Sequence, residues 1–210
     1  MGRKRLNDTN RCSSCLLNKM WCYCDSLSMI NIKTSVFPVV HYREQFLTSN
    51  TAHLITSTIK DTEIHIYDRH KNIDNFQLLE SLKPPTYLLF PDDSSIPVEN
   101  LETTSVINII IPDGSWVQAR KMTRKHPWLL KLPRISIKPD EESRYFLRKQ
   151  GRELGVSTYE ALSYALRYLE GDSVFQHMRN QFEIAMAAIH RSRNGVSERD
   201  RQWQPQSKMK

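Results

Sequence analysis

The chain has 210 residues, enough for one medium domain with an attachment and for a sizeable apolar core. Thirty Lys and Arg against 23 Asp and Glu give a formal charge of +7, which favours a polyanionic partner. The basic start lacks the apolar region of a signal peptide, and no run approaches the ~20 apolar residues of a membrane span, so a soluble cytoplasmic protein is expected, with no membrane partner.

All the cysteines fall in RCSSCLLNKMWCYC, at Cys12, Cys15, Cys22 and Cys24. Cys-x2-Cys followed by Cys-x-Cys on a short loop can bring four thiolates to one tetrahedral Zn²⁺. Such a site has no open position, so the metal would organise a knuckle and not catalyse. Two disulfides or an iron–sulfur cluster are the alternatives. A reducing compartment disfavours the first, and the closeness of Cys22 to Cys24 disfavours the second.

Strand-like apolar runs then alternate with amphipathic ones. Residues 35–41, 63–68, 86–90, 105–111 and 134–137 read as strands, and 45–59, 73–82 and 116–130 as helices. That alternation predicts βαβ units and an α/β fold with a largely parallel sheet flanked by helices. Two further helices are predicted over 157–171 and 172–193, separated by Gly171. Beyond Asn194 the sequence is polar and aperiodic. The predicted organisation is a four-cysteine knuckle over 1–34, a catalytic domain over 35–194 and a flexible tail over 195–210.

Candidate chemistry sits where apolar runs end. IIIPDGSW at 109–116 stops a β-branched strand with Pro112 and Gly114 and leaves an acid, a hydroxyl and a ring, Asp113, Ser115 and Trp116, at the sheet edge where open α/β sheets bind ligands. An Asx-type turn with a packed Trp explains the same residues without a ligand. LLFPDD at 88–93 ends a second strand with Pro-Asp. In GVSTYEA at 155–161, Ser157 and Glu160 form a capping box, while the helix start also offers free N–H groups to an anion. Arg120, Lys121, Arg124 and Lys125 follow the acid directly, and Arg148 belongs to a second basic group with Arg144, Lys149 and Arg152; both can track phosphates or simply be solvated.

Taken together, the cysteine opening, His41-x-x-Glu44, SNTAHLI at 49–55, DGSWVQARKM, YFLR at 145–148 and STYEA at 157–161 resemble the DTW-domain tRNA-uridine aminocarboxypropyltransferases, relatives of the knotted SPOUT methyltransferases. Ser115 stands where the family motif Asp-x-Thr-Trp has Thr, and keeps the hydroxyl. Ala52 stands where Gly usually follows Thr-Asn-Thr, and its Cβ excludes some conformations open to Gly.

The resemblance implies a trefoil-knotted sheet and a reaction in which the 3-amino-3-carboxypropyl group of S-adenosylmethionine moves to N3 of a tRNA uridine, releasing methylthioadenosine. It implies a donor site made by Leu89, Phe90, Pro91, Ile111, Pro112, Gly114, Ser157, Thr158, Glu160 and Ala161. Asp113, Ser115 and Trp116 would be the catalytic group, with Asp113 the base, because uridine N3–H is a poor nucleophile until deprotonated. Arg120, Lys121, Arg124, Lys125 and Arg148 would contact tRNA. A SPOUT-type RNA methyltransferase and a non-catalytic zinc-dependent RNA-binding protein are the rival readings. The oligomeric state stays open between monomer and homodimer.

Overall fold

A computed structural model of the protein describes residues 10–68, 79, 81–83, 85–102, 106–147 and 155–195. Most of the helix predicted over 73–82, the tail beyond 195, and Arg148, Lys149 and Arg152 lie outside the described residues.

Parallel strands buried on both faces need continuous apolar runs, and the Ile-rich segment supplies one. Strand β5 (Asn108–Asp113) forms the centre of the sheet, with Ile109, Ile110 and Ile111 almost fully buried. Each such side chain contributes roughly 1.5–3 kcal/mol through burial. Around it lie β1 (Ser35–His41), β2 (His65–Tyr67), β3 (Thr86–Leu89), β4 (Ile96–Pro97) and β6 (Arg134–Ser136). The order is β2-β1-β5-β3-β6-β4, and every pairing is parallel.

Alternation along the strands divides the core between two faces. Val36, Ile109, Ile111 and Leu89 face one cluster with Ile55 of α1 (Ala52–Thr58), Tyr159 and Leu162 of α4 (Thr158–Glu170), and Phe182 of α5 (Asp172–Asn194). Val39, Ile110 and Leu88 face the other, with Ala119 and Met122 of α2 (Trp116–Lys125) and Leu129 of α3 (Pro127–Lys131). The protein is therefore an α/β fold whose parallel sheet is flanked by helices. Among the described residues no helix is long and apolar enough to cross a membrane.

Several boundaries differ from those predicted, each for a local reason. The strand predicted to stop at Ile111 continues through Pro112 and Asp113, paired with Val39 and Val40 of β1. Pairing with β3 ends at Ile110, so the N–H that Pro112 lacks is not needed on that side. The helix predicted over 116–130 is two helices, because Pro127 holds His126 in an extended conformation, φ −82° and ψ 118°. The helix predicted from residue 45 starts at Ala52, after a turn in which Asn50 Oδ1 accepts from Ala52 N–H. Ala52 has no positive φ and is fully buried, so the departure from the family's Gly leaves α1 regular. Gly171 does separate α4 from α5, at φ 98°.

Residues 10–34 pack onto this core. Leu17 and Tyr23 join the cluster formed with α4 and α5, and Ser28 N–H donates to Gln181 Oε1 of α5 at 2.9 Å.

Candidate functional site at the C-terminal sheet edge

Asp113 closes β5 and is 6% exposed. Its Oδ1 accepts from Thr158 Oγ1, the first residue of α4, at 2.5 Å. Two of the segments singled out in the sequence, DGSW and STYEA, thus meet through one charge-assisted hydrogen bond.

The start of α4 is fixed from several sides. Ser157 Oγ accepts from Glu160 N–H at 3.3 Å, and Glu160 Oε2 accepts from Ser157 N–H at 2.8 Å, the predicted capping box. A cap of this kind is worth about 1 kcal/mol. The Glu160 carboxylate also accepts from Arg144 N–H and Ser143 Oγ, each at 2.8 Å, so it anchors the incoming segment to the helix. Tyr159 N–H donates to Thr51 Oγ1 at 3.2 Å, and Tyr145 Oη donates to the Ser49 carbonyl at 2.5 Å. Thr51 and Tyr145 were not among the predicted site residues. Both lie inside stretches that carried the family resemblance, which was the available signal.

The remaining predicted residues have identifiable places. Ser115 caps α2 in a second capping box, its N–H donating to Gln118 Oε1 at 2.6 Å and its Oγ accepting from Gln118 N–H. Any small hydroxyl does this, so Ser in place of Thr preserves the helix start. Trp116 packs on the apolar cluster beneath α2, its ring 5.7 Å from that of Phe90. A Cβ on Gly114 would lie 3.1 Å from Gln118 Cβ and 3.4 Å from His41 Cβ, so glycine lets the turn close onto its own helix. Leu89, Phe90, Ile111 and Pro112 are buried at the ends of β3 and β5, and Pro91 is exposed. Ala161 extends the first turn of α4, its N–H donating to the Ser157 carbonyl. Asp92 accepts from Ser94 and pairs with Arg134 of β6 at 2.5 Å, so the Pro-Asp of LLFPDD caps its turn and ties it to the sheet. Although burial opposes it, those Ser94 hydrogen bonds and Arg134 hold the Asp92 carboxyl below its ordinary range.

The four sulfurs lie within 4.8 Å of one another. Cys12 Sγ is 3.7 Å from Cys24 Sγ, and Cys15 Sγ is 3.8 Å from Cys22 Sγ. These separations far exceed the ~2.05 Å of a disulfide. A tetrahedral ion about 2.3 Å from each sulfur sets sulfur–sulfur edges of about 3.8 Å, so the thiols fit one zinc. Burial and then neighbouring thiolates push the Cys15 thiol up to about 11 and Cys24 higher. For Cys12, burial acts upward too, but N–H groups of Cys15 and Ser14 bring it down to about 7. Crowded thiolates of this kind are relieved by a dication.

On α2, Arg120, Lys121, Arg124 and Lys125 are all exposed, and the last two lie at the helix C-terminus where cations suit the macrodipole. Arg148 is outside the described residues.

The family model for the DTW domain matches residues 9–190. The chain belongs to this family. It is similar to the tRNA-uridine aminocarboxypropyltransferase 2 of Drosophila melanogaster, 25% identical over 173 residues that cover 78% of this chain and 68% of that protein. It is also similar to the protein of the same name from Macaca fascicularis, 24% identical over 173 residues covering 79% of this chain and 58% of the relative. The chain thus spans less than two thirds of the macaque protein. No solved structure matches significantly. In this DTW-domain chain the matched region takes in the four cysteines, the sheet edge with Asp113 and the start of α4.

Proposed function

We propose that the protein transfers the 3-amino-3-carboxypropyl group of S-adenosylmethionine to N3 of a tRNA uridine, in the cytoplasm. The observation that carries this reading is the junction of Asp113 with Thr158 at the sheet edge of a chain in the DTW family. Support comes also from the names of its relatives and from the exposed cations of α2. The donor site would be formed by the ends of β3 and β5, at Leu89–Pro91 and Ile111–Gly114, with the first turn of α4. When bound, the donor supplies a sulfonium leaving group whose aminocarboxypropyl carbon is the electrophile.

Asp113 takes the uridine N3 proton, so that the N3 lone pair forms the new bond to carbon while the carbon–sulfur pair returns to sulfur. The α2 cations hold tRNA phosphates. The four cysteines hold a structural zinc that shapes the knuckle docked on α5. A knotted, SPOUT-type threading belongs to the same reading. The interleaved order supports it, since β5 lies between β1 and β3, and β6 between β3 and β4.

Two experiments test the reading. Incubation with tRNA and donor labelled in the carboxypropyl chain is expected to put label into tRNA and release methylthioadenosine. Label transferred from the methyl group identifies a methyltransferase instead, and no transfer identifies an RNA-binding protein. For the basic face, replacing Arg124 and Lys125 together by Ala is expected to weaken tRNA binding, lower its salt slope by up to roughly two, and spare donor binding. Unchanged salt dependence would make these side chains solvated surface.

A further inference from the structure

β1 leaves the sheet beside the acid. Val40 is paired with Asp113, so His41 and Tyr42 come next, on the flank of Asp113 away from β3. From there a ladder of planar groups runs outward. The Tyr67 and His41 rings are 6.2 Å apart, those of His41 and Tyr42 are 4.8 Å apart, and the Arg43 guanidinium stands 5.5 Å from the Tyr42 ring centre. Arg43 Nε donates to Tyr42 Oη at 2.8 Å, which holds the guanidinium to the ring. Arg43 is exposed and forms no ion pair among the described residues. Burial and then the Arg43 cation hold the His41 imidazole below its usual range, against the opposing pull of Glu44 and Asp68.

A surface arginine gains little by being pinned to a neighbouring phenol, since ordering a long side chain costs entropy. The arrangement suits a nucleobase, because unstacked RNA bases stack on aromatic rings and on guanidinium planes. The position suits it as well. With the donor proposed on the β3 side of Asp113, the flank toward β1 and β2 is the one left for the RNA. The basic helix α2 reaches the same flank, where His126 at its C-cap packs its ring 6.3 Å from Tyr67.

We propose that the Tyr42–Arg43 end of this ladder stacks the nucleobase adjacent to the target uridine. This rests on the functional reading above, and it makes Tyr42 and Arg43 an RNA subsite that begins at His41, the residue beside Gly114 of the proposed donor site.

Binding of unfractionated tRNA across a salt series tests it, with donor binding and thermal melting measured on the same proteins. Arg43→Ala and Tyr42→Ala are each expected to weaken tRNA binding about tenfold, the scale of one lost stack, with donor affinity and melting near wild type. Arg43→Lys keeps the charge but not the plane. It is expected to keep the wild-type salt slope and still lose most of the affinity that Arg43→Ala loses. Wild-type tRNA affinity in Arg43→Lys would reduce the residue to a point charge and overturn the stack. So would wild-type affinity in both alanine variants, or a parallel loss of donor binding. If the unmodified protein binds no tRNA, the functional reading itself fails. If it binds and modifies tRNA while the variants match it, only the ladder fails.

Discussion

Asp113→Asn is expected to lower the rate of the chemical step by roughly 10²-fold or more, the scale of general-base loss, while donor and tRNA still bind. The amide keeps the size of the carboxylate and can still accept the Thr158 hydroxyl, so the junction of β5 with α4 survives. It does not accept the N3 proton. Single-turnover rates with saturating donor and tRNA separate this loss from any loss of binding. Raising the pH is expected to restore part of the rate, because more uridine is then deprotonated before it meets the donor. Full turnover in Asp113→Asn, or a loss confined to donor affinity, would make Asp113 a binding residue.

That test has a clear meaning because Asp113 belongs to the sheet and not to a loose turn. The strand was legible in the sequence from Ile109 to Ile111, whose branching and apolarity fit a parallel core. Its last two residues were not, because Pro112 reads as a terminator until the neighbouring strand is seen to end first. The capping box at Ser157 and Glu160 was legible because it is local, as was the break at Gly171. The second box, at Ser115 and Gln118, has the same local pattern, a hydroxyl and an amide three residues apart.

What local reasoning misses is tertiary. Nothing near Glu160 in sequence says that it also holds Ser143 and Arg144, or that Thr51 reaches Tyr159 across more than a hundred residues. Strand order is equally nonlocal, and the two-residue β4, which contains Pro97, carries no strand signal. Trp116 illustrates the limit on roles. Its place beside Phe90 supports packing beneath α2, while its partial exposure leaves part of the side chain accessible to solvent at the sheet edge.

The second large effect concerns the metal. Protein purified without chelator is expected to carry one zinc per chain, and Cys15→Ser to carry almost none, because a four-thiolate site loses its closed tetrahedral shell with any one ligand, and Cys15 is the buried one of the four. The consequence spreads beyond the loop. Cys15, Leu17 and Tyr23 belong to the same apolar cluster as Leu162 and Phe182, so loosening the knuckle uncovers part of the face that α4 and α5 bury. The melting temperature is therefore expected to fall in Cys15→Ser and in chelator-treated protein alike, and zinc to restore it only in the latter. Acidification acts in the same direction, since protons compete with the metal for thiolates. The Asp113–Thr158 junction is also held by bonds that do not involve the knuckle, Thr158 to Asp113 and Tyr159 to Thr51, so tRNA affinity is expected to fall more than donor affinity. Zinc-free protein from chelator-free purification would return the cysteines to a purely packing role. Equal loss of both affinities would mean that the knuckle supports the whole sheet edge and not an RNA-binding surface of its own.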